Sequence, residues 1–111
     1  LEDTELTEIK VDPDNAHYEA RDGVLYSASG ILIAYPVGKS GPYAIPEEEN
    51  IWGIQTRAFL NCRQLTELTI PKNITKIGEN VFYNCSLTEI SISEDCELMG
   101  DLGSEITVNR Y

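Results

Sequence analysis

The sequence is short of the residues that most function classes require. It has one histidine, and eight lysine or arginine residues against nineteen aspartate or glutamate, for a formal net charge of -11. A surface of that sign repels phosphate backbones and anionic head groups at long range, so nucleic acid is not an expected partner. No stretch approaches the roughly 18 consecutive apolar residues that a membrane span needs, and the start of the chain has no basic segment leading into an apolar run and a cleavage site. Membrane insertion is therefore not expected.

The same scarcity restricts the chemistry. A single histidine, His17, rules out multi-histidine metal sites and reads as a surface or turn residue. The three cysteines, Cys62, Cys85 and Cys96, are too few and too far apart for a disulfide scaffold and show no CxxC spacing. No glycine-rich phosphate loop, G-x-S-x-G elbow or Cys-His pairing occurs. Paired carboxylates are the one enzymatic chemistry the composition supports, but abundance alone places some acids near one another. Groups such as Glu47-Glu48-Glu49 and Glu94-Asp95 read as solvated faces. Asp12-Pro13-Asp14-Asn15 opens like a calcium loop, yet Ala16, His17 and Gly23 occupy the fifth, sixth and twelfth positions, where a ligand, a glycine and a bidentate glutamate are needed. A turn is expected there. The expectation is a non-enzyme with no catalytic residue, no cofactor and no metal.

What the sequence does contain is a repeat. Asn50-Ile51, Ile54, Ala58-Phe59 and Asn61-Cys62 recur 23 residues later as Asn73-Ile74, Ile77, Val81-Phe82 and Asn84-Cys85. Leu65-Thr66-Glu67-Leu68-Thr69-Ile70 recurs 22 residues later as Leu87-Thr88-Glu89-Ile90-Ser91-Ile92, because Cys85-Ser86-Leu87 is one residue shorter than Cys62-Arg63-Gln64-Leu65. Leu6-Thr7-Glu8-Ile9-Lys10-Val11 is the same phrase near the start. A chain that opens on Leu1 and reaches this phrase almost at once is expected to be part of a longer protein, with any export signal outside it. A period of 22 to 23 lies in the range of leucine-rich repeats.

Within one unit, Leu65, Leu68 and Ile70 follow the L-x-x-L-x-L strand pattern, with Leu68 and Ile70 two apart so that both point inward. Pro71 ends the strand. Ile74 to Ile77 reads as a second extended piece, and Gly78 as a break leading into one turn of helix with Val81, Phe82 and Cys85 on one side. A lone coil of this kind buries too little to fold, so stacking on neighbours must supply the difference.

The predicted architecture is an α/β repeat, a right-handed leucine-rich-repeat solenoid that is mostly β with short helical turns. It has about four coils in a single domain over 1–111. Residues 6–42 form an elongated coil, in which Val24-Leu25-Tyr26 and Ile31-Leu32-Ile33-Ala34-Tyr35 make a hairpin around Ser27–Gly30. Residues 43–64 and 65–86 are regular repeats. In 87–111 the repeat fails after Ile92, and a last strand in Ser104–Tyr111 forms part of a C-terminal cap.

Ile-Pro followed by Ile-x-x-Ile-Gly-x-x-x-Phe-x-x-Cys, together with Val11-Asp12 through Tyr18 and Asp22-Gly23-Val24-Leu25-Tyr26, resembles the BspA-like (treponemal-type) leucine-rich-repeat family of bacterial surface proteins. The resemblance covers about residues 6–92. Two stretches depart from it: Trp52-Gly53-Ile54-Gln55 lacks the glycine after the second isoleucine, and residues 93–111 match nothing in the repeat. The resemblance implies a secreted or cell-surface solenoid without catalytic chemistry. Some members of the family are adhesins for host matrix proteins or for other bacteria. The corresponding expectation is a cell-surface module for protein binding and adhesion, extracellular, with a host matrix or other cell-surface protein as partner. The alternative is a spacer or capping fragment with no ligand of its own. Nothing in the sequence fixes an oligomeric state.

The expected binding face follows from the repeat. Thr66-Glu67 and Thr88-Glu89 are placed on adjacent rungs at strand spacing of roughly 4.7 to 4.9 Å, where like charges must be solvated. With Thr69 and Ser91 they form an acidic, threonine-lined strip, either a contact surface for a basic or polar partner or an ordinary solvated sheet face. Tyr18, Tyr26, Tyr35, Tyr43 and Trp52 cluster near the elongated coil, as core or as an exposed platform for protein or sugar. Cys62 and Cys85 fall on equivalent positions, as small buried thiols or as a bridge between coils. Asn73-Ile74-Thr75 and Asn84-Cys85-Ser86 match the N-glycosylation pattern by chance.

Overall fold

The computed structural model describes residues 8–103 and 105–111, which form ten strands and no helix. An antiparallel meander comes first: β1 (Tyr18–Arg21), β2 (Val24–Ser27) and β3 (Ile31–Ala34) pair in order. The β2–β3 hairpin stands where its sequence puts it, and β1 adds a strand to the expected pair. Asp22 and Gly23 turn the chain from β1 to β2 with φ of 53° and 79°. Left-handed geometry at both positions is what an Asp-Gly hairpin turn provides, so that dipeptide was the signal for β1. Ahead of β1, Asp12 and Asn15 make the expected turn. The Asp14 amide donates to Asp12 Oδ1, and the His17 and Tyr18 amides donate to Asn15 Oδ1. Of the first repeat phrase, Leu6 and Thr7 lie outside the described residues. Glu8–Val11 is not a strand, although the Ile9 amide reaches the Gly23 carbonyl at 2.7 Å.

Beyond β3 the chain winds into a β-solenoid of about four turns, each with three sides. One side carries β4 (Gly41–Ala44), β6 (Leu65–Thr69), β8 (Glu89–Ile92) and β10 (Thr107–Arg110). A second carries β5 (Gly53–Ile54), β7 (Lys76–Ile77) and β9 (Glu97–Leu98), all parallel and continuing the meander in a six-stranded sheet, β1-β2-β3-β5-β7-β9.

The third side was expected to hold short helical turns. It holds successive tight turns instead, closed by the Ala58, Leu60 and Cys62 amides on the carbonyls three residues back. Left-handed residues interrupt each run before a helix can propagate: Arg57 and Asn61 (φ 62° and 63°) in one coil, Asn80 and Asn84 (φ 54° and 60°) in the next. The backbone then hydrogen-bonds between coils, from Phe59 to Val81 at 3.0 Å, Asn61 to Tyr83 at 2.9 Å and Phe82 to Leu102 at 2.8 Å. The recurring Asn-Cys phrase gains a reason here. Asparagine tolerates the left-handed turn, and Asn84 Nδ2 donates to Asn61 Oδ1 at 2.9 Å. The exposed Asn84 and half-buried Asn73 amides are both occupied by the preceding coil, Asn73 Nδ2 lying 2.9 Å from the Glu48 carbonyl and 2.7 Å from that of Ile51.

The L-x-x-L spacing also has a backbone cause. Gly41 pairs with Leu65 but Pro42 pairs with Glu67, so Thr66 is an extra residue in β6. This bulge lets Leu65 and Leu68 both reach the core although three positions separate them.

After Ile92 the repeat continues, contrary to the sequence expectation. Glu97 and Leu98 pair with Lys76 and Ile77, and Leu102 receives the Phe82 amide, so residues 93–103 complete another coil. Its pattern was hidden because buried Cys96 takes the place of Ile74, and Leu98 follows it after two positions where Ile77 follows Ile74 after three.

One core cluster runs from Val24 to Leu102. Tyr26, Tyr35 and Tyr43 belong to it, while Tyr18 and Trp52 are partly exposed. The Tyr26 and Tyr43 hydroxyls meet at 2.6 Å and tie the meander to β4. Trp52 Nε1 donates to the Ser29 carbonyl at 2.8 Å and holds the hairpin turn. Arg21 spans Glu19 and Glu48 at 2.7 and 2.6 Å.

Candidate functional site

The side that carries Thr66, Glu67, Thr69, Thr88, Glu89 and Ser91 differs from the other two. β4 pairs with β6 and β8 pairs with β10, each in parallel, but among the described residues no ladder joins β6 to β8. Thr66-Glu67 and Thr88-Glu89 stand on neighbouring rungs, with Cα atoms of β6 and β8 within 8 Å at their closest, but the expected ladder at strand spacing between them is absent among the described residues. The two segments face each other across an opening. Its location matches the repeat's irregularity: the link from Cys85 to Leu87 is one residue short, and β8 begins only at Glu89, whereas β6 begins at Leu65. With less chain to reach the same rung, the register between the two strands is lost.

The result is a groove of about 740 Å³, lined by all six expected residues and by Glu47, Lys72 and Tyr111. The six are exposed, and buried Leu68, Ile70 and Ile90 lie beneath them. Successive residues of a strand aim their amides at opposite edges. The Thr69 carbonyl points to β4, where it accepts from Ile45, so the peptide groups of Leu68 and Ile70 point into the opening. Across it, the Thr88 and Ile92 carbonyls accept from Thr107 and Tyr111, so those of Glu89 and Ser91 face β6. The Tyr111 hydroxyl donates to the Ile70 carbonyl at 2.5 Å. Glu89 accepts from Asn109 Nδ2 at 2.9 Å. Three carboxylates, Glu47, Glu67 and Glu89, surround the groove against one ammonium, Lys72. The repeat pattern could not bring in Tyr111, which reaches Ile70 across 41 residues of sequence.

The remaining chemistry-bearing groups do not converge. Cys62, Cys85 and Cys96 are free thiols. The fully buried Cys62 thiol donates to the Tyr35 carbonyl at 3.6 Å, and interaction with the Cys85 thiol, then burial, push its pKa far above the ordinary thiol range. His17 is exposed on the turn before β1. Among the described residues no three histidine, cysteine or acidic side chains group to hold a metal, and no helix is long and apolar enough to cross a membrane.

The family model described as BspA type Leucine rich repeat region (6 copies) matches residues 43–102, more than half of the chain. None of the curated proteins matches it. A solved structure of similar fold is a leucine-rich repeat protein from Eubacterium ventriosum ATCC 27560, with a TM-score of 0.80 and 27% identity over 97% of this chain. The chain spans 31% of that protein's length. The three-sided coils, the stacked Asn-Cys turns and the family match over residues 43–102 agree, and the chain belongs to the BspA-type leucine-rich-repeat family.

Proposed function

We propose that the chain is a non-enzymatic protein-binding module of an extracellular or cell-surface protein, and that it binds through the groove between β6 and β8. Leucine-rich repeats suggest protein interaction in general. The observation that carries the specific reading is the open rung. Thr66, Glu67, Thr69, Thr88, Glu89 and Ser91 all line one concave opening with an apolar floor, instead of standing on a continuous flat sheet. A concave surface with exposed polar groups above buried leucine and isoleucine offers a partner both desolvated contact and orientation. The partner class is a protein of basic or polar surface, such as a host matrix protein or a protein on another cell, and the role is adhesion.

The test is saturable binding of the labelled chain to a panel of matrix proteins and bacterial cells, with the double variant Glu67→Lys, Glu89→Lys beside it. Saturable binding that the double variant loses is the expected result. Binding to no member of the panel, or binding that the variant leaves unchanged, would favour a spacer that positions other parts of a longer protein.

A further inference from the structure

The outward face of the six-stranded sheet carries two adjoining depressions, of about 190 and 510 Å³, that share Ile31 and Gln55. Trp52 and Met99 flank the smaller one, and His17 and Tyr18 flank the larger. Strand alternation puts apolar groups on this face: Leu32 points into the core, so Ile31 and Ile33 on either side of it point out. Trp52 is 37% exposed, and its one polar atom, Nε1, is already bonded to the Ser29 carbonyl at 2.8 Å. What it offers the depression is ring carbon.

Gly53 lies on the floor of the smaller depression, between Ile31 and Lys76 in the ladder. Nothing in the fold asks for glycine there. Its backbone is not left-handed, and a Cβ would meet nothing closer than the Lys76 carbonyl oxygen at 3.6 Å, an ordinary contact. Gly78, in the same depression, differs, because Thr56 stands 2.5 Å from any Cβ added to it. On the next two rungs the place of Gly53 is taken by Lys76 and Glu97, both with exposed side chains. A strand glycine that packing does not require marks close approach of something to the backbone. Around this floor, the exposed Gln55, Lys76, Tyr18 and His17 side chains have no hydrogen-bond or ionic partner among the described residues. No aspartate or glutamate lines either depression, although the chain has nineteen, and Glu97 beside Lys76 in the ladder offsets its charge.

We propose that this face is a second binding site, on a different side of the coil from the β6–β8 groove, and that it takes a neutral glycan. One pyranose lies on Trp52 over the Gly53 floor, and the glycan continues past Gln55 toward Tyr18. A pyranose has a face of C–H groups, which stacks on an aromatic ring, and a rim of hydroxyls, which needs both donors and acceptors. The Gln55 amide supplies both, and the Lys76 ammonium donates. An aliphatic protein loop in the same place would desolvate those two heads without replacing their hydrogen bonds.

Trp52 is the only tryptophan of the chain, so its fluorescence reports the site directly. The probes are maltohexaose, cellohexaose and mannohexaose, titrated into the full chain, with hexagalacturonate as the charged control. The expected result is a saturable change with at least one neutral hexasaccharide and none with hexagalacturonate. Gly53→Thr puts a β-branched side chain on the floor, so its melting temperature should hold or rise while affinity falls by about ten-fold or more. Gly53→Ala, whose Cβ makes only ordinary contacts, keeps the fold and should weaken binding by about three-fold. Tyr18→Ala should weaken it by a similar factor.

A Trp52 signal that none of the three neutral hexasaccharides changes overturns the proposal. So does an equal response to hexagalacturonate, or Gly53→Ala and Gly53→Thr chains that bind as the parent does. Saturable binding of a matrix protein that Gly53→Thr abolishes, with no sugar bound, overturns it as well and makes the face a protein contact.

Discussion

The rings of Phe59 and Phe82 lie 5.5 Å apart, centroid to centroid, with their planes inclined by 32°. Both are fully buried, and they hold the same position in successive coils. Tyr35 continues the column on the other side of Phe59, at 5.0 Å and 28°, and meets Tyr43 edge-on at 5.2 Å. The column joins the meander to the regular coils through ring contact, so stability on this side is shared between neighbours.

Removing a ring from the column should therefore act beyond its own coil. Phe59→Ala leaves a cavity between Tyr35 and Phe82 and is expected to cost about 3 to 5 kcal/mol, the range for buried aromatic truncation. Phe59→Leu should cost less. Urea denaturation followed by circular dichroism checks both, and a cost for Phe59→Ala below about 1 kcal/mol would contradict the shared core.

The tyrosines of the core differ in how their hydroxyls are satisfied. Tyr26 and Tyr43 bond each other at 2.6 Å, whereas the buried Tyr35 hydroxyl has no partner among the described residues. Tyr35→Phe is expected to be neutral or to stabilise by up to about 1 kcal/mol, because it deletes an unpaired polar group from the interior. Tyr26→Phe should destabilise by about 1 to 2 kcal/mol, since it leaves the Tyr43 hydroxyl buried without its partner. The opposite order of denaturation midpoints would show that the two environments are assigned wrongly.

Gly78 is fixed by the coil before it. A Cβ there would stand 2.5 Å from the Thr56 amide nitrogen and 2.8 Å from the Thr56 Cα. Gln55 holds the equivalent place one coil earlier, since Ile54 pairs with Ile77, and behind it lies β3 of the meander instead of a regular coil. This accounts for the missing glycine after Ile54. Gly78→Ala is expected to destabilise by about 1 to 3 kcal/mol through overpacking against backbone, and Gln55→Ala by less than about 0.5 kcal/mol. Thermal melts of the two variants measured side by side provide the check.

The contrast between Gly78 and Gln55 shows where the sequence was informative. Side-chain periodicity marks positions that a regular neighbour presses on, so Leu65, Ile77 and Phe82 announced the coil and its stacking. Backbone relationships leave weaker traces. Thr66 as a bulge and Asn61 and Asn84 as left-handed turns are consequences of hydrogen bonding between coils, and a residue pattern alone reads the turns as helical. The last coil was missed because Cys96 and Leu98 contracted the isoleucine spacing while the ladder to Lys76 and Ile77 persisted. For the binding face, the repeat named the six side chains, and the one-residue shortening before Leu87 was visible. That the shortening opens the sheet depends on register between strands, and Tyr111 enters only through contact across 41 residues of sequence.

High pH should unfold this protein in a predictable window. Burial raises the pKa of Tyr26, Tyr35 and Tyr43 above the ordinary value of 10.0. Burial raises Cys96 above the ordinary value of 9.0, while the interaction between the Cys62 and Cys85 thiols raises Cys62, with burial adding to it, and lowers Cys85, so that pair contributes with opposed signs. The three tyrosines and Cys96 are neutral when protonated, so the folded chain holds these protons more tightly than the unfolded chain does. Their contribution to stability is complete below about pH 9 and falls as pH rises, at about 1.4 kcal/mol per pH unit for each group ionised only in the unfolded state. Cys96 starts the decline, since the shifts of Cys62 and Cys85 oppose each other, and the tyrosines steepen it above about pH 10. Denaturation midpoints measured from pH 7 to 11 should stay level up to about 9 and then drop. In Cys96→Ala, the first part of the drop should disappear while the steeper part remains. A midpoint that stays flat to pH 11 would mean that the tyrosine hydroxyls and the Cys96 thiol are as free to ionise in the fold as in the unfolded chain, which their burial forbids.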